Sequence, residues 1–415
     1  MYDLKLALEG GKPIRTKPME YLSIGANLIG SEEMTLVKEV IESQTLFRHY
    51  GPSKPHMVDD FETEIRKLID SRYALATSTG SGSYFCAMSA LNLDPGDEVI
   101  IPAYGWITDY SAVVLAGAVP VFASIDESFN LNPEDFKKKI TPRTKAVIVI
   151  HYQGAASRLD EIVDIAGEYG IRVIEDVAQA CGGSFKGRKL GKWGDISCFS
   201  LQSHKMIVSG DGGFLTTDNQ ELFERAVRFH DLGMIRTSFE KQLESPVKTK
   251  PIPGMQWRMN ELSGAVSLAQ IKKLPGIINK TQKFAATLRD AIKEDFPNLK
   301  FRKVQPENDL GIIVAFDLGS KENVDYFIKA YEAEGLVYGP TSYCKTMDKI
   351  DIVLSCLKDA GMYNPEDFIK TEEIVNRFAI LSILPIYSEE DIKEIYLGVK
   401  KVCRAMEGDG RMLNV

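Results

Sequence analysis

Long apolar runs are missing from this 415-residue chain. Its most apolar stretch, SAVVLAGAVPVFASI (111–125), is broken by Gly117 and Pro120 and falls short of the roughly 20 residues a membrane helix needs. It reads as helix, turn and strand, so no membrane association is expected. The N-terminal MYDLKLALEGG lacks the basic-then-apolar order of a secretory signal, and a cytoplasmic location is the expectation. Positive charge is not in excess either. With 50 Lys and Arg against 58 Asp and Glu the net charge is -8, and no Lys/Arg run is present, which argues against a hold on nucleic-acid phosphates. Cysteine is scarce: the six, at 86, 181, 198, 344, 356 and 403, are scattered, with no CxxC pair and no histidine at ligand spacing. That pattern excludes the usual zinc sites and reads as free thiols in a reducing compartment. No internal repeat or low-complexity tract is found.

What the chain has instead is a period that switches between helix and strand. VDDFETEIRKLI puts Val58, Phe61, Ile65, Leu68 and Ile69 on one helical face, and YALATS (73–78) follows as a buried strand. A helix is expected from Ser83 to Leu91 and a turn at DPGD (94–97). Strands are expected at EVIIP, VPVFASID (119–126), KAVIVIHY (145–152) and, after the helix RLDEIVDIAGEYG, at IRVIED (171–176). GDISCFSL and GFLTT (213–217) add two more. Such alternation predicts a mostly parallel sheet covered on both faces. Helices dominate from Gln220 to Phe296, interrupted at Pro275. LGIIVAFDL (310–318), the helix NVDYFIKAYEAEG and a final helix at SEEDIKEIYLGV (388–399) then read as a smaller α+β domain, with Ser388 and Asp391 as a capping pair. The expected division is a large domain at 1–275, with an N-terminal arm, and a small one at 276–415.

In open parallel sheets ligands bind beyond the carboxyl ends of the strands, so polar residues that end strands are the candidates. STGSGS (78–83) follows a strand and opens a helix. Its small residues let backbone N–H groups approach a phosphate at the helix N-terminus, although a small-residue turn before a helix is ordinary. EDVAQA (175–180) ends a strand with Glu175 and Asp176. A carboxylate buried there needs a cationic partner, unless Asp176 is simply a helix N-cap. SLQSHKMIVSGDGG (200–213) sets Ser200 and Lys205 between a strand and a glycine-rich turn. Lysine is commonly a solvated surface residue, and it is also the residue that condenses with a carbonyl. Pyridoxal 5'-phosphate accounts for all three places together: a phosphate site, a carboxylate facing a protonated pyridine nitrogen, and a lysine joined to the aldehyde.

Taken in order, STGS, PAYGW, IEDVAQACGGSFKGRKLGKWGDISCFS, the lysine, GDGG and GMQWRMNELSGAVSLAQIKKL resemble the DegT/DnrJ/EryC1/StrS family of sugar aminotransferases. The resemblance runs over nearly the whole chain, the leading LALEGGKPIR included. It implies a fold-type I aminotransferase dependent on pyridoxal phosphate: an α/β large domain around a mostly parallel seven-stranded sheet, a smaller C-terminal α+β domain, and a homodimer whose subunits complete each other's sites. It also implies roles position by position. Lys205, five residues after Ser200, matches the lysine that holds the cofactor and moves the proton, and Asp176 matches the partner of the pyridine nitrogen. Gln179 matches the residue near the phenolic oxygen, Trp106 the aromatic stacked on the ring, and Gly80, Ser81 and Ser200 the phosphate-binding residues. No metal is implied. The implied reaction moves an amino group from L-glutamate or L-glutamine to a keto-sugar, typically nucleotide-linked, for amino sugars of cell-surface polysaccharides or antibiotics. A cyclitol ketone or a 3-deoxy-octulosonate is the alternative acceptor, and sugar dehydration on the same cofactor the alternative reaction.

The chain departs from the family in places. Gln256, in GMQWR, stands where the family has an asparagine that reaches the neighbouring subunit's phosphate. SLQSHK replaces the commoner aromatic and proline residues before the lysine, and NDLGIIVAF lacks a histidine frequent at that point. These departures leave the acceptor open, not the cofactor. His204 competes with Lys205 because some members act as dehydratases with histidine at the lysine position; counting from Ser200 puts that position at 205. The loop QTLFRHYGPSKPH (44–56) offers Arg48, His49, Lys54 and His56 either to an anionic substrate or to solvent, and His151 either edges the site or satisfies backbone groups.

Overall fold

The structure, a computed structural model, describes residues 5–19, 24–339 and 345–411. Cys344 lies outside the described residues; the other five cysteines are free thiols. The central sheet has seven strands: β1 (Tyr73–Thr77), β2 (Glu98–Pro102), β3 (Val119–Ala123), β4 (Thr144–Ile150), β5 (Arg172–Asp176), β6 (Ile196–Ser200) and β7 (Gly213–Thr217). Their spatial order is β1-β7-β6-β5-β4-β2-β3, and only β7 runs antiparallel to its neighbours.

Side-chain alternation along each strand sorts the apolar residues into two cores. Ala74, Ala76, Ile100, Val147, Val149, Val173, Phe199 and Phe214 face one side. Tyr73, Leu75, Val99, Ile101, Ile148, Ile174, Cys198 and Leu215 face the other. Both faces are covered, which is why these strands read as near-continuous apolar runs. The helices are α1 (Ser31–Ser43), α2 (Met57–Ile69), α3 (Gly80–Leu91), α4 (Ile107–Leu115), α5 (Leu159–Tyr169), α6 (Gln220–His230) and α7 (Glu261–Asp295), with α8 (Glu389–Gly408) near the end. Phe61 and Ile65 of α2 join Leu268, Ile271 and Leu274 of α7 on the first face. Tyr84 and Met88 of α3, Val113 of α4 and Phe223 of α6 join the second.

Two expectations need correction. Helix α3 begins at Gly80, not Ser83, because Thr79 caps it by accepting the Gly82 N–H at 2.8 Å. Pro275 does not interrupt the helical region: α7 runs unbroken through it. A proline in a helix interior forfeits one backbone hydrogen bond, but Leu274 and Ile277 beside it are buried and hold the helix in register. The division expected at 275/276 therefore falls inside one helix. Beyond it, β8 (Ile313–Asp317) pairs antiparallel with β9 (Phe378–Ser382), and Ser388 and Asp391 form the capping box of α8. Among the described residues no helix is long and apolar enough to cross a membrane, and no group of side chains is arranged to hold a metal.

Candidate active site

A cavity of about 320 Å³ opens at the carboxyl end of β5 and β6, lined by Gly80, Ser81, Trp106, Asp176, Gln179, Ser200 and Lys205 together with Thr79, Tyr84, Thr108, Asp109, Gln202 and Asp211. Seven of the eight residues singled out from the sequence are thus brought together. A cavity of about 730 Å³ elsewhere is larger; there Arg158 is paired with Asp126 and Glu134, and Arg377 with Glu127 and Asp317.

The part of the cavity suited to an anion is walled by glycines. A Cβ on Gly80 would lie 2.8 Å from the Ser200 Cβ, and one on Gly213 would lie 2.6 Å from the Thr79 carbonyl oxygen. Only hydrogen at these positions lets the first turn of α3 press against the ends of β6 and β7. The first N–H groups of a helix have no acceptor within it and carry partial positive charge. No acidic residue occupies the first turn of α3 to neutralise that charge. Ser81 Oγ adds a hydroxyl, 3.2 Å from Thr108 Oγ1.

Asp176 ends β5 on the α3 side of the sheet, and only 4 % of it is exposed. It is not a helix N-cap; one oxygen accepts the Ala178 N–H at 2.8 Å, closing a turn. Burial pushes its carboxyl above the ordinary range, against the Ala178 N–H, the Tyr84 hydroxyl and the Lys205 ammonium. Lys205 is half-buried in the loop from β6 to β7. Its N–H donates to the Gln202 carbonyl and its own carbonyl accepts from Gly25 N, both at 2.9 Å, while Leu201 and Gly212 close the loop beneath it. His204 next to it is exposed, and burial of its ring together with the Lys205 charge lowers its pKa. Trp106 precedes α4 and is 44 % exposed, an unusual amount for a tryptophan at a cavity wall unless something covers it. Gln179 Oε1 accepts the Gln153 N–H at 3.1 Å, which fixes the plane of its amide at the cavity wall.

Gln256 is not in this cavity; it is exposed and bridges to Asp231. The 44–56 loop divides. Arg48 is neither solvated nor available to a substrate: its guanidinium grips both oxygens of Glu62 at 2.8 and 2.7 Å and Asp59 at 2.6 Å. Burial opposes its charge, but those carboxylates raise its pKa. His49 is half-buried near Asp231, while Lys54 and His56 face solvent. His151 is wholly buried, accepts the Ser157 N–H at Nδ1 and meets Glu175 at Nε2, so it satisfies the backbone instead of edging the cavity. Sequence reasoning missed Tyr84 and Asp109. Asp109 carried one signal, the capping-box spacing three residues after Trp106; Tyr84, inside an apolar helix, carried none.

A model of the DegT/DnrJ/EryC1/StrS aminotransferase family matches residues 27–400. The chain belongs to that family. It is accordingly an aminotransferase of the pyridoxal phosphate-dependent class whose members act on sugars. Solved structures agree in fold. An aminotransferase from Psychrobacter cryohalolentis superposes with a TM-score of 0.82 at 24 % identity over 94 % of this chain and 100 % of its own. PseC of Helicobacter pylori, an aminotransferase involved in pseudoaminic acid biosynthesis, gives 0.78 at 20 % over 94 % and 100 %. The Escherichia coli GDP-4-keto-6-deoxy-D-mannose-3-dehydratase, solved with hydrated PLP, gives 0.77 at 22 % over 92 % and 99 %. The residues here fit that cofactor: the cradle a Cβ at Gly80 would fill suits a phosphate, and a buried carboxylate and a lysine share its cavity.

Proposed function

We propose that this family member transfers the amino group of L-glutamate or L-glutamine to a nucleotide-linked keto-sugar, for an amino sugar of a cell-surface polysaccharide or an antibiotic. The observation that carries the reading is the convergence of Lys205, buried Asp176 and the glycine-walled start of α3 on one cavity. The neighbour that dehydrates a GDP-linked keto-sugar supports an acceptor of that class. When bound, pyridoxal phosphate supplies an aldehyde and a protonated ring that draws off electrons as a substrate C–H bond breaks.

On this reading the N–H groups of Gly80 and Ser81 and the Ser200 hydroxyl hold the phosphate, and Trp106 covers the ring and keeps water from it. Gln179 donates to the phenolic oxygen. Asp176, ionised, would pair with the ring nitrogen and keep its proton in place. Lys205 would hold the aldehyde, and its amine, once free, would move a proton at the substrate carbon. Gln256 serves the partner's phosphate in a homodimer.

Loading the purified chain with pyridoxal phosphate and adding L-glutamate should convert the bound cofactor to its pyridoxamine form, and one of a panel of nucleotide-linked keto-sugars should convert it back. No spectral change with any amino donor overturns the reading. Water lost from a keto-sugar without net transfer of nitrogen replaces it with dehydration.

A further inference from the structure

Two carboxyl groups share the buried wall of this cavity. Asp109 is 1 % exposed, Asp176 4 %, and Tyr84, 4 % exposed, reaches toward both from α3. Asp109 Oδ2 accepts the Trp106 N–H at 3.0 Å, closing the capping box of α4. Gly105 makes room for it, since a Cβ there would lie 2.8 Å from that oxygen. The other oxygen, Oδ1, is buried without a hydrogen bond, and so is the Tyr84 hydroxyl beside it.

The groups that face this pair come from four places. Lys205 brings a cation from the β6–β7 loop. Cys198 on β6 is kept neutral by burial, which pushes its thiol well up. His151, beyond β4, is turned toward Glu175 and Ser157, and Tyr84 is the hydroxyl from α3. Were both carboxyls ionised, Tyr84 would have one hydrogen for two acceptors, and Asp109 Oδ1 would remain a bare buried anion beside another. Buried carboxyls so placed take up a proton instead. With the proton on Asp109 Oδ1, Asp109 donates to Tyr84 and Tyr84 donates to Asp176, so that both atoms left without a hydrogen bond at this wall find a partner.

We propose that Asp109 is a positioning residue that carries the proton of this carboxyl pair and, through Tyr84, confines the negative charge to Asp176. Burial raises both carboxyls, and at Asp109 the Asp176 charge adds to it. The consequence rests on the function proposed above: a neutral Asp109 leaves one carboxylate, correctly hydrogen-bonded, to face the ring nitrogen. It also ties that charge to Trp106, whose backbone Asp109 holds.

Infrared spectroscopy of the full chain, recorded before and after loading with pyridoxal phosphate, reads the proton directly. A carboxylic-acid C=O stretch is expected at neutral pH in the unaltered protein and is lost in Asp109→Asn. Tyr84→Phe keeps the band but shifts it, because the acid loses its acceptor; a purely structural Asp109 would leave it unmoved. Asp109→Ala should raise the cofactor dissociation constant about tenfold, a change of about 1.4 kcal/mol. Asp109→Asn, whose amide donates as the neutral acid does, should rescue it. No band in the unaltered protein, a band that survives Asp109→Asn, or a band indifferent to Tyr84→Phe overturns the proposal, and the last holds even if Asp109→Asn fails to fold. Failure to take up cofactor at all would strike the proposed function and leave the infrared result standing.

Discussion

Glu175 and Asp176 are neighbours on β5, yet their carboxyl groups lie on opposite faces of the sheet and in opposite electrostatic settings. Glu175 is fully buried, which alone would push its pKa up. It accepts from the N–H groups of Gly191, Trp193 and Gly194 at 2.9, 2.7 and 2.7 Å and meets His151 at 3.2 Å, and these contacts pull it below the ordinary carboxylate range. Asp176 receives one backbone N–H and is raised. The first is spent on holding the turn before β6; the second keeps acceptor capacity for a ligand.

That contrast separates two variants. Asp176→Asn is expected to retain cofactor and fold while transamination falls by on the order of 10²-fold or more, since a neutral amide does not keep the ring nitrogen protonated. Glu175→Gln should instead lower stability by about 3 kcal/mol, because it breaks a fully hydrogen-bonded buried charge. Thermal melts and steady-state rates on the pair check both. Near-normal turnover in Asp176→Asn would remove it from the role assigned.

Gly80→Ala tests the anion cradle. Alanine is a better helix former by about 1 kcal/mol, so a loss of function here would not come from a weaker helix. The added Cβ would sit 2.8 Å from Ser200 Cβ and force the α3 terminus away. Cofactor affinity should fall at least tenfold, about 1.4 kcal/mol, by equilibrium titration. Unchanged affinity would place the phosphate elsewhere.

Much of this arrangement is legible in the chain because it is local. Strand residues such as Val147 and Val149 alternate with Ile148, and the residues that end β5 and β6, with those just after β1, fall on the cavity whatever the finer packing. What depends on distant partners is not legible. Arg48 sits in a Pro/Gly-rich loop, and nothing near it in sequence says that Glu62, 14 residues on, will bury it. Tyr84 looks like any aromatic on an apolar helix until α3 is laid across β6 and β7. Pro275 misleads because the burial of its helical neighbours outweighs a local penalty.

Gln256→Ala addresses assembly. The residue is exposed and outside the cavity of its own chain. If it serves the partner's phosphate, the variant should stay dimeric by sedimentation and release cofactor faster on dilution. An unaltered protein that is monomeric and fully active would sink the shared-site idea.

Acid should destabilise the fold through His230. It is wholly buried with neither ring nitrogen hydrogen-bonded, and burial, then the Arg48 charge, lowers its pKa to about 3. Its unfolded value is near 6.5, so between these limits the unfolded chain binds the extra proton. Stability therefore rises with pH across that window and is lost as pH falls below about 6.5, by about 1.4 kcal/mol per pH unit for this one group. His230→Leu sacrifices no hydrogen bond and should flatten the slope from pH 6 to 4 by about one proton in urea titrations. Identical slopes in both proteins would refute the assignment.

Lys205 and His204 remain to be told apart by chemistry. The two are adjacent, but Lys205 lines the cavity with Asp176 and His204 is exposed with a lowered pKa, neutral at pH 7. Borohydride treatment of the loaded chain should fix the cofactor to the peptide that contains Lys205; attachment at any other lysine is incompatible with the reading. Lys205→Ala should still bind the pyridoxamine form, because Gly80, Ser81, Ser200 and Asp176 do not need the lysine to hold phosphate and ring. It should not turn over, having lost the amine that moves the proton, a loss of on the order of 10²- to 10⁴-fold or greater. His204→Ala should retain the covalent attachment and a measurable response to glutamate, since the reading assigns its ring no covalent role. An active Lys205→Ala beside a dead His204→Ala would reverse the assignment and point to dehydration, because a site that runs on histidine holds its cofactor without a covalent tie to the chain.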